Sequence, residues 1–320
     1  MKKKDTLFIL GAGVSVDHKY PTGTQLLEDI INVLDEKISI FDLENEFTCP
    51  NKTFLCFLLC YDFLNEYKIE SGTRFNVHGH LDYIQKKINE YDIYLARFHK
   101  KLKYSYPRSI DDFIQSQTTT GDANTNNINK KIGKLLIVLI LTCYEEKSLK
   151  YDQSSEDLYQ VTTTFFTDFW KNIYGSNFND FIENINKTQF ITFNYDRLLE
   201  HFIYSTATSF FDTTPDQNEI IKEFLSNNIL HVYGALPKME WQSDNGFPYG
   251  SIQLKELKTY IEKELNIGSS GSEKNKKTNY IINALKETNK DLSHQYSQIQ
   301  KSLEFILEAS KLIKTYSEEH

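Results

Sequence analysis

The chain has 320 residues and a net charge of −8, with 40% hydrophobic and 25% charged residues, the profile of an ordinary folded protein of one large or two modest domains. This acidity argues against a nucleic-acid-binding surface, although a local basic patch can hide within an acidic average. Aromatic residues make up 14% of the chain, whereas glycine occurs 13 times and proline 6 times. That balance favours long helices and an aromatic core over a loop-rich β fold.

Neither the cysteines nor the apolar runs point to a metal site, a secreted protein or a membrane span. The cysteines are Cys49, Cys56, Cys60 and Cys143. They lie in or beside apolar helical stretches without the paired spacing of a zinc site, so we expect reduced core thiols and no bound metal. The apolar runs at Thr6–Leu10 and Leu135–Leu141 are too short for a signal peptide or a bilayer span. These features predict a cytoplasmic protein.

A glycine-containing turn follows the first predicted strand. The apolar run Thr6–Leu10 ends at Gly11-Ala12-Gly13-Val14-Ser15, and an amphipathic helix is predicted over Thr24–Leu34. Glycines let backbone N–H groups approach an anion closely, and the N-terminus of a following helix adds positive charge, so this order suits a diphosphate. The motif is common and lacks the third glycine of the dinucleotide fingerprint. A tight turn without a ligand is therefore the alternative.

Long helical patterns occupy the middle of the chain. They cover Thr53–Lys68, Leu81–Leu102 and Ile128–Glu146. Ser109 is placed to cap a short helix over Ile110–Ile114. Strand character returns only after this region, so we predict a helical module at residues 43–186, inserted into a sheet-containing domain formed by residues 1–42 and 187–320.

Two further strands are predicted in the second half of the chain, at Gln189–Phe193 and Asn228–Tyr233, and a helix starts at Asp196. Other predicted elements are a short strand at Ile38–Asp42 and a helix-rich C-terminus from Tyr280 to Tyr316. Parallel strands end at a common edge, where open α/β proteins bind their ligands. We therefore expect Gly11 and Asn194 to face one pocket.

Three motifs, taken together, resemble those of a known family. They are Gly11–Ser15 with Pro21-Thr22-Gly23, then Thr192-Phe193-Asn194-Tyr195-Asp196, then His231-Val232-Tyr233-Gly234. In this order they resemble the SIR2-like (sirtuin-related) domains of bacterial anti-phage proteins, over about residues 5–250. The resemblance implies an α/β fold with a Rossmann-like parallel sheet flanked by helices and an inserted helical module. It also implies hydrolysis of NAD to nicotinamide and an ADP-ribose product.

The resemblance also assigns roles to single residues. It places the turn residues Gly11, Ala12, Gly13 and Ser15 at the ADP-ribose diphosphate, Pro21, Thr22 and Gly23 at the wall of the nicotinamide or ribose pocket, and Thr192 and Tyr233 among the binding residues. Asn194 would hold a water or the nicotinamide ribose beside the anomeric carbon. Asp196 would either stabilise the cation that develops there or serve only as an acid in the first turn of a helix.

The histidine departs from the family pattern. Related enzymes usually place the catalytic histidine directly before a glycine, whereas Tyr233 takes that place here and His231 lies two residues earlier. Because side chains alternate along a strand, both can face the same side, so His231 can act as general base on a ribose hydroxyl. Alternatively, His231 is a satisfied, partly buried histidine in a protein that binds NAD or a derivative without cleaving it.

From the resemblance we predict a bacterial NAD glycohydrolase that is the effector of an anti-phage, abortive-infection system. NAD is its expected substrate, and a separate sensor or activator encoded nearby and a homo- or hetero-oligomer are expected, without direct nucleic-acid or membrane contact. The product is linear or cyclic ADP-ribose. The alternatives are a non-catalytic nucleotide-binding regulatory subunit and an NAD-dependent oxidoreductase. In the oxidoreductase Asp42 would bind the adenosine ribose, although it lies farther from the turn than the common ~20 residues.

Relatives often add a glycine-containing strand after the last long helix. None is evident before His320, so a partner could complete the adenosine side of the pocket.

Overall fold

The computed structural model describes residues 6–37, 51–71, 81–117, 122–154, 164–243, 246–250, 257 and 297–314. Within these ranges the protein is mostly helical and contains one small parallel sheet, so it is an α/β protein. The strand predicted at Ile38–Asp42 lies outside the described residues, as do both ends of the helix-rich region predicted from Tyr280 to Tyr316. No helix in the described part is long and apolar enough to cross a bilayer.

Three parallel strands form the sheet in the order β1-β2-β3. They are β1 (Thr6–Leu10), β2 (Thr188–Thr192) and β3 (Ile229–His231). Phe8 pairs with Phe190, and Thr192 pairs with both Leu10 and His231, so the carboxyl ends of the three strands lie level. The three strands predicted from the sequence are therefore confirmed, although β3 is shorter than predicted.

The described helices lie between and after these strands in the sequence. They are α1 (Gly23–Leu34), α2 (Asn51–Ser71), α3 (Leu81–Ser105), α4 (Ile110–Ser116), α5 (Ala123–Ser154), α6 (Phe165–Ile173), α7 (Phe178–Ile185), α8 (Leu198–Phe211), α9 (Pro215–Asn228) and α10 (Ser297–Leu312). α2, α3 and α5 confirm the long helices predicted in the middle of the chain. Ser109 caps α4 as predicted, because its hydroxyl accepts a hydrogen bond from the backbone N–H of Asp112 at 3.1 Å.

The amphipathic helix predicted over Thr24–Leu34 is confirmed as α1, but a 3₁₀-helix that was not predicted lies between β1 and α1. The 3₁₀-helix at Ala12–His18 comes first, and it ends at Lys19, whose φ of 68° is left-handed. α1 begins only at Gly23. A single short 3₁₀-helix carries no amphipathic periodicity of its own, so the pattern of apolar residues did not reveal it.

The described residues fall into two compact units. The sheet unit lies within Met1–Gly23, Tyr144–Ile252 and Leu312–Lys314, and the helical unit lies within Thr24–Cys143, Gln253–Lys311 and Thr315–His320. The sheet unit holds all three strands and every catalytic residue that the sequence predicted. The domain division predicted from the sequence uses other boundaries and stays a prediction.

An aromatic cluster packs against one face of the sheet. Phe8 and Phe190 stack with their ring centroids 5.4 Å apart, and Phe169 of α6 meets both rings edge-on at 5.5 and 5.4 Å. Each edge-to-face aromatic pair contributes roughly 0.5–1.5 kcal/mol of stability beyond that of the surface area it buries. The cluster packs α6 against β1 and β2.

Close helix packing organises the helical unit. A Cβ atom at Gly133 of α5 would overlap the Ile114 side chain, and the ring of Phe98 lies 3.7 Å from the same point. Glycine at position 133 therefore permits this close approach. Lys131, two residues earlier, reaches Asp62 of α2 at 2.9 Å.

Replacing Gly234 with alanine is expected to destabilise the sheet unit. Gly234 has a φ of 76°, and a Cβ atom there would overlap the carbonyl oxygen of Leu312. The left-handed conformation alone disfavours alanine by about 1 kcal/mol, and the overlap adds to this cost. Urea unfolding should show a lower midpoint for Gly234→Ala than for Gly13→Ala, where the added Cβ meets no atom of the described part of the chain within 4 Å. Equal midpoints would contradict this expectation.

Candidate functional site

The candidate site lies where the strands end, at the carboxyl edge of the sheet. Beyond the strands, the backbone N–H of Phe193 donates to the carbonyl of Leu10 at 3.0 Å, and that of Val232 donates to the carbonyl of Thr192 at 2.9 Å. The hydroxyl of Thr192, a predicted binding residue, accepts a hydrogen bond from the backbone N–H of Asn194 at 3.1 Å. Hydrogen bonds to the neighbouring strands thus position the backbone next to Asn194.

The glycine turn leaves open space beside its backbone. Among the described residues, apart from each glycine and its chain neighbours, no atom lies within 4 Å of the point that a Cβ atom would occupy at Gly11 or Gly13. Gly11 has a φ of −128°, which any residue adopts, so backbone conformation does not require glycine there. The open space at both glycines, on either side of Ala12, suits the close approach of a ligand to the backbone.

Three predicted site residues meet in one buried chain of hydrogen bonds. The Asn194 Nδ2 group donates to Ser15 Oγ at 3.1 Å, and Ser15 Oγ donates to Asp196 Oδ2 at 3.2 Å. The other carboxylate oxygen of Asp196 accepts from the backbone N–H of Leu198 at 3.1 Å. Asn194, Ser15 and Asp196 are 8%, 1% and 7% exposed, respectively. The sheet thus brings the end of the glycine turn to residues that are about 180 positions away in sequence.

The carboxamide oxygen of Asn194 is the unmet acceptor of this group. Oδ1 is buried and has no hydrogen-bond partner among the described residues. A buried acceptor without a partner costs about 1–3 kcal/mol, so native structures rarely retain one without a water or a ligand to satisfy it. A hydroxyl group or a water that donates to Oδ1 would remove this cost.

The carboxyl group of Asp196 titrates near neutral pH. Burial raises its pKa, and the negative charge of Glu200 adds to the increase. Hydrogen bonds from Leu198 and Ser15 and the charge of His231 oppose the rise, and the resulting pKa is about 6. A carboxyl group with this pKa can take up or release a proton near neutral pH, as a general acid or base must.

His231 uses both of its ring nitrogens. Nδ1 lies 2.8 Å from the backbone oxygen of Asn194, and Nε2 lies 2.7 Å from Glu200 Oε1. Burial lowers the pKa of His231, but the charge and hydrogen bond of Glu200 outweigh it and raise the pKa to about 9. At neutral pH the ring is therefore a cation that donates both N–H groups. The general-base role predicted for His231 would require the ring to leave one of these partners.

The remaining predicted binding residues lie around this group. Pro21 is buried, Thr22 and Gly23 are exposed, and α1 begins at Gly23. Half-buried Tyr233 has its ring centroid 5.8 Å from that of Phe193. The roles assigned to these residues in ligand binding stay predictions.

A buried ion pair that sequence reasoning missed anchors the segment after β3. Arg197 is 1% exposed, and its guanidinium forms a two-point ion pair with the carboxylate of Glu145. The same guanidinium donates to the carbonyls of Pro237 and Phe247, each at 2.9 Å. Glu145 also accepts from the backbone N–H of Gly250 at 2.8 Å. Pro237, Phe247 and Gly250 are thus tied to Arg197, the residue that follows Asp196, or to its partner Glu145.

A tyrosine pair joins the same segment to the end of the glycine turn. The hydroxyl groups of Tyr20 and Tyr249 lie 2.9 Å apart, and the ring of Tyr249 stacks on His201 with centroids 3.8 Å apart. Tyr20 directly precedes Pro21, so this contact positions the predicted wall of the pocket.

A separate cavity of about 480 Å³ lies at the opposite edge of the sheet. Its lining includes Thr6 and Thr188, the first residues of β1 and β2, together with Phe8 and Phe165. It is therefore remote from the strand ends that carry Asn194. Lys187, on its rim, already pairs with Glu183 at 3.2 Å.

No group of three or more His, Cys, Asp or Glu side chains in the described part of the chain could hold a metal ion. No family model, curated protein or solved structure matches the chain. Its motifs and the contacts around Asn194 are therefore the grounds for a functional proposal.

Replacing Asp196 with asparagine should stabilise the fold at neutral pH. The pKa of Asp196 is raised from 3.8 to about 6 in the folded state, so its favourable contribution is present below pH 3.8 and is lost as pH rises through 6. An asparagine at this position cannot ionise and keeps an oxygen for the N–H of Leu198. We expect Asp196→Asn to gain about 1–3 kcal/mol at pH 7.5 relative to wild type, and no gain at pH 3.5.

The measurement is urea unfolding between pH 3.5 and 8. The control is Asp216→Asn, an exposed acid in the first turn of α9. If wild type and Asp196→Asn lose stability in parallel between pH 4 and 6, Asp196 is not a buried carboxyl group of raised pKa.

Removing one partner of the Arg197–Glu145 pair should be strongly destabilising. Arg197→Met leaves the buried carboxylate of Glu145 without its cation, which typically costs about 3–5 kcal/mol, a large fraction of the roughly 5–15 kcal/mol by which a domain is stable. Lys187→Met removes an ion pair whose two side chains are 46% and 75% exposed, and should cost about 1 kcal/mol or less. Thermal unfolding of the two variants compares these costs. Similar melting temperatures would show that the buried pair is not a major anchor.

Proposed function

We propose that this protein is an NAD glycohydrolase of the SIR2-like type, built on a Rossmann-like sheet. It would cleave the bond between nicotinamide and ribose to give nicotinamide and an ADP-ribose product. The observation that carries the proposal is the buried carboxamide of Asn194, whose nitrogen is fixed by Ser15 and whose oxygen has no partner among the described residues. It lies at the carboxyl edge of a parallel sheet, which is where α/β folds bind nucleotides.

The cleavage step needs an acceptor beside the anomeric carbon. The C–N bond breaks, its electron pair returns to the nicotinamide ring, and a cation develops on the ribose. Asn194 Oδ1 can accept a hydrogen bond from the attacking water or from a ribose hydroxyl and so hold it in place. As the water oxygen bonds to the anomeric carbon, its proton can pass to the ionised carboxylate of Asp196, whose pKa of about 6 suits a base at neutral pH.

The charge of the same carboxylate favours the cation. An ionised group in a buried site stabilises a developing opposite charge more strongly than one in water does. Asp196 is 7% exposed and stays close to Asn194 through their shared contact with Ser15. Ser15, predicted from the resemblance to bind the diphosphate, is better supported as the residue that orients both side chains.

The glycine turn supports the binding half of the proposal. The open space at Gly11 and Gly13 would let a diphosphate approach the backbone, and Tyr20 is held next to Pro21 by its contact with Tyr249. The cytoplasmic location, the role as an anti-phage effector and the activation by a separate sensor protein belong to the same proposal. The location is supported by the cysteine pattern and the short apolar runs, and the other two by the motif resemblance alone.

One observation favours a second candidate, a subunit that binds NAD or a derivative without cleaving it. Both ring nitrogens of His231 are engaged, so the residue nearest to the family's catalytic histidine has no free nitrogen in this arrangement. The two candidates share the binding site and differ only in turnover.

Asn194→Ala is expected to lower nicotinamide release from NAD by about 100-fold or more, since it removes the acceptor that orients the reacting water or ribose. The assay incubates the full chain, alone and with the product of the neighbouring gene, with NAD and quantifies nicotinamide, ADP-ribose and NADH by chromatography. Asn172→Ala is the control, because this exposed amide bonds only to a backbone carbonyl of its own helix among the described contacts.

Each result separates the candidates. Nicotinamide release by wild type and the control variant, with loss in Asn194→Ala, supports the glycohydrolase. NAD binding by calorimetry without turnover, even with the neighbouring product, supports the binding subunit. NADH formation indicates an oxidoreductase. Equal turnover in Asn194→Ala and wild type would contradict the role of Asn194.

A further inference from the structure

Glu200 and His231 form a buried ion pair that the cleavage step does not use directly. Glu200 lies in the first turn of α8 and His231 ends β3, and their side chains are 8% and 13% exposed. The Nε2–Oε1 distance is 2.7 Å. A charged hydrogen bond that is shielded from water in this way is stronger than one on the surface. This hydrogen bond therefore holds the imidazole ring of His231 in one orientation.

The opposite side of the imidazole holds the backbone of Asn194. Nδ1 donates to the Asn194 carbonyl at 2.8 Å, while Thr192 accepts from the N–H of the same residue at 3.1 Å. Ser15 accepts from its side-chain nitrogen at 3.1 Å. Every polar group of Asn194 except Oδ1 is thus held by a named neighbour, which leaves the direction of Oδ1 fixed.

We propose that Glu200 and His231 are a charged positioning pair. The carboxylate of Glu200 keeps the imidazole of His231 doubly protonated, and the imidazole holds the backbone carbonyl of Asn194. The side-chain carboxamide oxygen of Asn194 is thereby directed at the ligand. For its activity readout this inference rests on the NAD cleavage proposed above. The contacts of His231 with Glu200 and with Asn194 are present without a ligand, so they can be tested without activity. Neither Glu200 nor His231 needs to touch the substrate in this arrangement.

The charge of Glu200 is what keeps the ring protonated. The groups that face the imidazole are Glu200 from α8, and Asp196 and the Asn194 carbonyl from the segment after β2. Burial alone lowers the pKa of His231, and Glu200 reverses that effect. Without the carboxylate, the ring should become neutral at or below neutral pH. A neutral imidazole has one N–H group, so its donation to the Asn194 carbonyl is no longer assured.

The test compares Glu200→Gln with wild type over pH 5.5 to 10. Glutamine keeps the size and one acceptor oxygen but removes the charge. For NAD cleavage, we expect the kcat of wild type to persist until about pH 9, where His231 loses its proton. In Glu200→Gln, kcat should fall at least one pH unit earlier, by about 10-fold at pH 8 and little at pH 5.5, with KM nearly unchanged. Glu200→Asp should restore part of the wild-type profile.

A second measurement does not depend on activity. Nuclear magnetic resonance of labelled histidine gives the titration midpoint of His231, and the side-chain amide signal of Asn194 should change with the same midpoint. Both midpoints should shift together to lower pH in Glu200→Gln. The control is Glu219→Gln on α9, which removes a 71% exposed carboxylate paired with Lys222 and should shift neither midpoint.

Several results would overturn the positioning pair. They are an unchanged alkaline limb in Glu200→Gln, a loss of kcat that is uniform across pH, and an Asn194 amide signal that does not follow His231. If wild type neither binds nor cleaves NAD, the proposed function fails, and the two titrations still decide the positioning pair. If Glu200→Gln does not fold, the coupling of the two signals in wild type decides it.

Discussion

The site depends on the way in which one buried carboxamide is held. Thr192, Ser15 and His231 each take one polar group of Asn194, and only Oδ1 lacks a partner among the described residues. The contacts with Thr192 and His231 hold the backbone of Asn194, and the contact with Ser15 holds its side chain. Each hydrogen bond contributes roughly 1 kcal/mol, whereas the unmet acceptor costs about as much as one to three of them. A fold that retains this cost beside a titratable carboxyl group has the character of a binding or catalytic site more than of a packing accident.

Two buried charge groups near the site have different physical uses. Arg197 is saturated by the carboxylate of Glu145 and by backbone carbonyls, so its charge is fully compensated and serves to anchor the chain. Asp196 and His231 lie closer to the strand ends, and both have a pKa that is shifted upwards. The guanidinium of Arg197 stays charged, whereas Asp196, with a pKa of about 6, titrates near neutral pH, and His231, with a pKa of about 9, titrates at alkaline pH. Only the second group is suited to proton transfer or to regulation by pH.

The meeting of Ser15 with Asn194 could be predicted from the sequence because parallel strands end at one edge. The apolar runs before Gly11 and before Asn194 indicated the two strands and the points at which they end. The helices α6, α7 and α9 were not predicted, although Thr164, Asn177 and Thr214 are recognisable caps. α6 and α7 have a regular apolar face but only nine and eight residues, whereas α9 is longer and has a weaker apolar periodicity.

The pairs that complete the site could not be predicted in the same way. Arg197 and Glu145 are 52 residues apart, and His231 and Glu200 are 31 apart. Such contacts depend on where α5 and α8 lie in space, which no spacing in the sequence encodes.

The most direct test of the account is a crystal structure of the full chain with ADP-ribose. The account predicts the diphosphate along the backbone from Gly11 to Gly13 and a ribose hydroxyl or a water within hydrogen-bond distance of Asn194 Oδ1. A nucleotide bound elsewhere, or an Oδ1 that stays without a partner when the nucleotide is bound, would contradict it.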